Sequence, residues 1–118
     1  MSHEYLANCV VPSQVSNIQI TQTVSNGMIN LQVTWNQPTS DRTIQHYEVQ
    51  YRKQGVSSWT SVTPNPTTRQ TTISNVDKGS VYNVQVRAVS DVGSGQWRNA
   101  TQMTYRGLNI IQNLAHSV

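Results

Sequence analysis

Charge is scarce in this sequence. Asp, Glu, Lys and Arg make up only 11% of the 118 residues, and Ser, Thr, Asn and Gln stand where a helical protein would carry Glu, Lys and Ala. That replacement suits a β-rich domain with short polar turns. Cysteine is nearly absent. Cys9 stands alone, which excludes an internal disulfide and a cysteine-rich zinc site. No apolar run approaches the roughly 20 residues needed to span a bilayer, so this segment is not expected to insert into a membrane. Residues 1–4 lack the basic region and apolar stretch of a secretory leader, so a secreted or membrane-bound parent would make this chain an excised piece of it. The net charge of +3 comes from eight Lys and Arg spread from Arg42 to Arg106 with no run among them. Nucleic-acid surfaces cluster their basic residues, and no nucleic-acid partner is expected here.

Catalytic patterns are also missing. His3, His46 and His116 lie far apart. Asp41, His46 and one of many serines make a nominal triad, but no Gly-x-Ser-x-Gly turn surrounds a serine. No His-Glu-x-x-His spacing offers a metal site. Gly93-Ser94-Gly95 is not followed by the Lys-Ser or Lys-Thr of a phosphate loop, and it reads as a turn. The expectation is no catalytic residue, no metal and no cofactor.

What is present is alternation. In residues 82–88, Tyr82, Val84, Val86 and Ala88 share one face, while Asn83, Gln85 and Arg87 share the other. A period of two marks a strand with one face buried and one wet. Ahead of it, Val76 and the turn around Lys78-Gly79 suggest a chain crossing a corner. The Tyr82 hydroxyl can then bond back to the loop it has just crossed. The same period runs through Ile29, Leu31, Val33 and Trp35, and again through Tyr47, Val49 and Tyr51. Weaker strands fall over residues 15–20, 59–62, 69–74 and 100–105. Asn26-Gly27 turns a hairpin cheaply because both residues tolerate positive φ. Seven short strands at turn spacings of about ten residues predict an antiparallel sandwich.

Residues 12–105 resemble a fibronectin type III domain. Val33-Thr34-Trp35 followed by Pro38 is similar to that family's second strand with its buried tryptophan. Residues 47–52 resemble its third strand, residues 76–88 its corner and sixth strand, and Gly93-Ser94-Gly95 its small-residue loop before the last strand. An immunoglobulin domain would instead want a tryptophan on the third strand between two cysteines. Val76 and Lys78 stand where the family usually has leucine and proline. The resemblance implies an all-β, seven-stranded immunoglobulin-like Greek-key sandwich, with Trp35, Tyr47, Val49, Tyr82, Val84 and Val86 in the core. It implies a non-catalytic extracellular module for spacing and protein recognition, excised from a receptor or adhesion protein. The rival expectation is a spacer beside the catalytic domain of an extracellular carbohydrate-active enzyme. The family's Arg-Gly-Asp tripeptide is absent.

Binding then falls to loops at one end of the sandwich, residues 36–43 and 91–98, which carry Asp41, Arg42, Gln96, Trp97 and Arg98. Trp97 beside Arg98 has the composition of a binding hot spot; as the alternative, its ring closes the sandwich end as a lid. Asn99-Ala100-Thr101 is an N-glycosylation sequon. Residues 1–11 and 106–118 match nothing in the family and read as linkers to neighbouring domains of the parent. Their apolar residues also allow a homodimer through the tails, in which Cys9 pairs with its copy.

Overall fold

The computed structural model describes residues 10–104, and none of them is helical. Seven strands follow in order: β1 (Ser16–Ser25), β2 (Met28–Asn36), β3 (His46–Lys53), β4 (Thr60–Val62), β5 (Gln70–Val76), β6 (Val81–Val89) and β7 (Arg98–Met103). They form two antiparallel sheets, β1-β2-β5 and β4-β3-β6-β7, joined as an immunoglobulin-like sandwich. Cys9, Tyr105 and the tails, apart from the exposed Val10 and Val11, lie outside the described residues, and so do the linker and dimer expectations that rest on them.

The alternating strands build the core. Ile29, Leu31, Val33 and Trp35 of β2 face Tyr47 and Val49 of β3 and Tyr82, Val84, Val86 and Ala88 of β6, with Val15, Ile73 and Val76 completing the cluster. Burying each large aliphatic side chain contributes about 1.5–3 kcal/mol. The rings of Trp35 and Tyr47 meet edge to face with centroids 5.3 Å apart. Charge is segregated between the layers. The strands of the three-stranded sheet contain no Asp, Glu, Lys or Arg, so among the described residues the charged side chains belong to the other sheet and to the connections.

Several strand boundaries differ from the sequence reading, among them β5, which runs on to Val76. β1 continues to Ser25 rather than stopping at residue 20, because its ladder with β2 runs on to Ser25↔Met28. Polar Gln22 on the half-buried face hides that continuation from a count of apolar residues. β7 begins at Arg98, two residues before the expected start. Its register with β6 opens at Val86↔Arg98, where Arg98 and Asn99 carry no hydrophobic signal. The hairpin turn does sit at Asn26 and Gly27, whose φ angles of 53° and 76° are both positive.

The corner ahead of β6 is closed by two hydroxyls. The Tyr82 hydroxyl accepts the Asp77 N–H at 2.8 Å. Thr104, just past β7, accepts the Ser80 N–H at 2.9 Å and donates to the Asp77 carbonyl at 2.6 Å. Lys53 bridges to the Asp77 carboxylate at 2.9 Å, a hydrogen bond that raises the lysine's pKa.

Ser16 pairs with Asn36, and Met103 pairs with Val81. The chain therefore enters the sandwich at one pole and leaves it at the other.

Candidate functional site

Three connections meet at the entry pole. Strands β2, β4 and β6 end there, and β3, β5 and β7 begin there, so residues 37–45, 63–69 and 90–97 are neighbours by topology. Two of these loops were expected to share an end. The third, residues 63–69, was not foreseen, because its place depends on which strand pairs with which.

A forked ion pair joins two of the loops. Arg42 Nε donates to Asp91 Oδ1 at 3.0 Å, and its Nη2 donates to the other carboxylate oxygen. Such a bidentate pair fixes geometry as well as charge. It holds the Asp91 carboxyl below the usual carboxylate range, chiefly through the hydrogen bond from Arg42. Both side chains are well exposed, at 36% and 47%, so the pair orients the loops more than it stabilises the fold. Each loop is also braced from within. Ser40 Oγ accepts the Arg42 N–H at 3.1 Å and donates to the Arg42 carbonyl at 2.7 Å. Asn65 Oδ1 accepts the Thr67 N–H at 3.0 Å, and Ser90 Oγ accepts the Val92 N–H at 3.2 Å.

Between the first and second loops lies an open hollow of about 460 Å³, whose lining includes Asp41, Arg42, Tyr47, Pro66 and Arg69. Burial pushes the Tyr47 hydroxyl's pKa up, against the opposing charge of Arg69. The hollow thus offers a carboxylate, two guanidiniums and a phenol rim. Such a lining can take charged and polar groups.

The five candidate binding residues do not all lie together. Asp41 and Arg42 line the hollow. Trp97 and Arg98 turn toward the flank, and Gln96 is exposed. The Trp97 carbonyl accepts from Gln14 Nε2 at 2.8 Å, and Arg98 Nη1 donates to Gln14 Oε1 at 3.3 Å. The Trp97 ring lies 4.2 Å from the Arg87 guanidinium carbon, on the outer face of the four-stranded sheet. It is half-buried and is not among the hydrophobic residues packed on the core. Arg87 is held in turn by Glu48 Oε1 at 2.6 Å. A second stack on the same face sets the Arg52 guanidinium carbon 4.2 Å from the Trp59 ring centre. His46 opens β3 half-exposed, with Nε2 3.8 Å from Glu48 Oε2. Asn99 is exposed on β7. Among the described residues, no three His, Cys, Asp or Glu side chains gather as a metal site.

Sequence reasoning missed Arg69, Asp91 and Thr104. Arg69 follows the Pro64-Asn65-Pro66 turn and Asp91 follows β6. Neither carries a local signal that sets it beside residues some 25 to 50 positions away.

Comparison with known proteins places these observations. The family model described as the fibronectin type III domain matches residues 13–104. Ephrin type-B receptor 2 of Gallus gallus and of Coturnix japonica are each 32% identical to the chain over 91 residues, which cover 76% of this chain and 9% of the receptor. The chain therefore spans about a tenth of the length of these curated relatives. Among solved structures, the fn3 domain of human collagen alpha-1(XX) chain superposes with a TM-score of 0.69 at 24% identity, over 80% of this chain and 86% of that one. A myokine structure superposes with a TM-score of 0.68 at 21% identity, over 80% and 99%.

Proposed function

The chain belongs to the fibronectin type III family, and on that premise we propose that it is a non-catalytic recognition and spacing module of an extracellular receptor. Its partner is a protein, engaged through the entry pole. One observation carries the reading: the Arg42–Asp91 fork locks two loops beside a hollow that presents Asp41 and Arg69. Two opposite charges flanking a concave surface make a pattern that a complementary protein surface can match, and such complementarity governs specificity and encounter rate. The rigid sandwich beneath leaves the loops free to carry that pattern. Similarity to the ephrin receptors supports a receptor parent over a carbohydrate-active enzyme, and it supports an extracellular setting.

The test presents the folded chain, multimerised on a tag, to an array of purified extracellular proteins. Asp41→Lys and Arg69→Glu should each abolish a binding event that Thr72→Lys, on the other sheet, leaves intact. Binding lost only with Thr72→Lys would move recognition to the three-stranded sheet. Binding to no member of the array would count against recognition and leave spacing alone.

A further inference from the structure

The outer face of the four-stranded sheet holds a second, unrelated arrangement. The ladders set Gln50 opposite Gln85, and Gln85 opposite Asn99. Arg52 stands opposite Asn83, which stands opposite Thr101. Side chains at these positions alternate away from the core, so two rungs of amides and hydroxyls cross the sheet. Most of them are tied. Gln85 Nε2 donates to Gln50 Oε1 at 2.7 Å, Gln50 Nε2 donates to Ser61 Oγ at 3.3 Å, and Thr101 Oγ1 donates to Asn83 Oδ1 at 3.4 Å. Asn99, at the end of its rung, is different. Its side chain is exposed, and it makes no hydrogen bond among the described residues.

Asn99 also lines a groove of about 280 Å³ with Thr101, Asn83, Gln85, Arg52 and Trp59. The far wall is fixed in advance. Arg52 Nη1 donates to the Ser57 carbonyl at 3.0 Å while its guanidinium stacks on Trp59. The floor is Gln85, only 9% exposed although it faces outward, whose Oε1 has no hydrogen bond among the described residues. Neighbouring strands lie about 4.8 Å apart, so the path from Asn99 on β7 across β6 to Arg52 on β3 is about 10 Å. An amide floor beneath an aromatic wall is the chemistry that receives a sugar: amides bond its hydroxyls and acetamido group, and a ring packs its C–H face. Asn99-Ala100-Thr101 is itself an acceptor sequon.

We propose that Asn99 carries an N-linked glycan whose first sugars lie across β6 in this groove and end against Trp59. The attachment is a glycosyl transfer from a lipid-pyrophosphate-linked oligosaccharide. Asn99 Nδ2 forms a bond to C1 of the first sugar, the bond from C1 to the phosphate oxygen breaks, the lipid pyrophosphate leaves, and the amide gives up one proton. The proposal rests on the extracellular reading above, since the donor is met only in the secretory pathway. It is independent of the entry-pole loops.

The experiment expresses the whole chain behind a secretion leader in a eukaryotic host, beside Asn99→Gln, Thr101→Ala, Trp59→Ala and the double variant Trp59→Ala/Asn99→Gln. The secreted parent should migrate as a heavier species that peptide-N-glycosidase F collapses, and Asn99→Gln and Thr101→Ala should lack that species. The glycosylated parent should melt a few degrees above Asn99→Gln, a gap that closes in the Trp59→Ala pair. The indole N–H resonance of Trp59 should shift between parent and Asn99→Gln, while those of Trp35 and Trp97 stay in place. That readout stands even if Trp59→Ala folds poorly. A chain secreted folded but unmodified overturns the glycan and leaves the recognition reading intact. A modified chain with an unmoved Trp59 resonance overturns the groove as its seat. A folded chain that the host never exports contradicts the extracellular reading itself.

Discussion

Replacing the Tyr82 hydroxyl and the Thr104 hydroxyl should cost different amounts, in an order that the corner's geometry sets. Tyr82→Phe keeps the buried ring and removes one acceptor from the Asp77 N–H. A neutral hydrogen bond is worth about 1 kcal/mol net, with an added penalty if the abandoned group stays dry. Asp77 lies at the surface, so water can partly take the lost oxygen's place, and the expected loss is about 1–2 kcal/mol. Thr104→Val keeps the shape and removes a hydroxyl that accepts the Ser80 N–H and donates to the Asp77 carbonyl, with the Ser80 carbonyl also in reach at 3.1 Å. Thr104 is only 1% exposed, so water has little access and the loss should reach about 2–4 kcal/mol. Both variants act on the backbone of Asp77, and their combination should depart from additivity by about 0.5 kcal/mol or more. Urea melts with unchanged slopes would measure the three values. Thermal melts should show falls of roughly 4–8 °C per kcal/mol. If Tyr82→Phe is as stable as the parent, the hydroxyl has no part in the corner. If Thr104→Val costs less than Tyr82→Phe, water reaches the Thr104 site and the ordering argument fails.

Trp35→Ala, at 3% exposure and against Tyr47, should cost about 3–5 kcal/mol, whereas Trp97→Ala should lose only its stack on Arg87, about 1 kcal/mol or less; denaturant melts of the two compare them directly. Gly95→Ala should destabilise by about 1–3 kcal/mol, because its Cβ would lie 2.5 Å from the Pro12 carbonyl oxygen; calorimetry that finds no change would show that residues 12–13 move aside freely. Asp91 has a depressed folded pKa, so its contribution is present above the ordinary carboxylate pKa and fades as pH falls through the folded value. Arg42→Ala should return the Asp91 titration toward the ordinary range, as carboxyl-carbon NMR would read it, and an unmoved titration would remove Arg42 as its cause.

Much of the fold was legible because one face of each central strand is buried. Val84 and Val86 point one way, Gln85 and Arg87 the other, and the solvent alone imposes that period. The ends of β1 and β7 were less legible, since Gln22, Arg98 and Asn99 pair through backbone and carry no apolar mark. The candidate site was half legible. A loop bearing Asp41 and Arg42 is visible as a polar break between two strands, but its ion partner is not. That Trp97 stacks on Arg87 instead of lying beside Asp41 and Arg42 was not legible, because neighbours in sequence need not share a surface: Trp97 stands just ahead of β7, where Arg87 of the adjacent strand offers its guanidinium.

The sequence by itself determined the alternation, the Asn26-Gly27 hairpin, the tyrosine placed to turn back on its corner and, through them, a sandwich of seven strands. These are local properties: a period of two, a tolerance for positive φ, a ring with a polar tip. Only the tertiary structure decided that Arg42 grips Asp91, that Arg69 shares a hollow with Asp41, that Thr104 ties the end of the chain to the corner, and that Asn99 faces Trp59 across the sheet. Those contacts join residues brought together by strand order and register. Register is set by summed burial and backbone pairing over whole strands, and no short stretch of the chain contains that information.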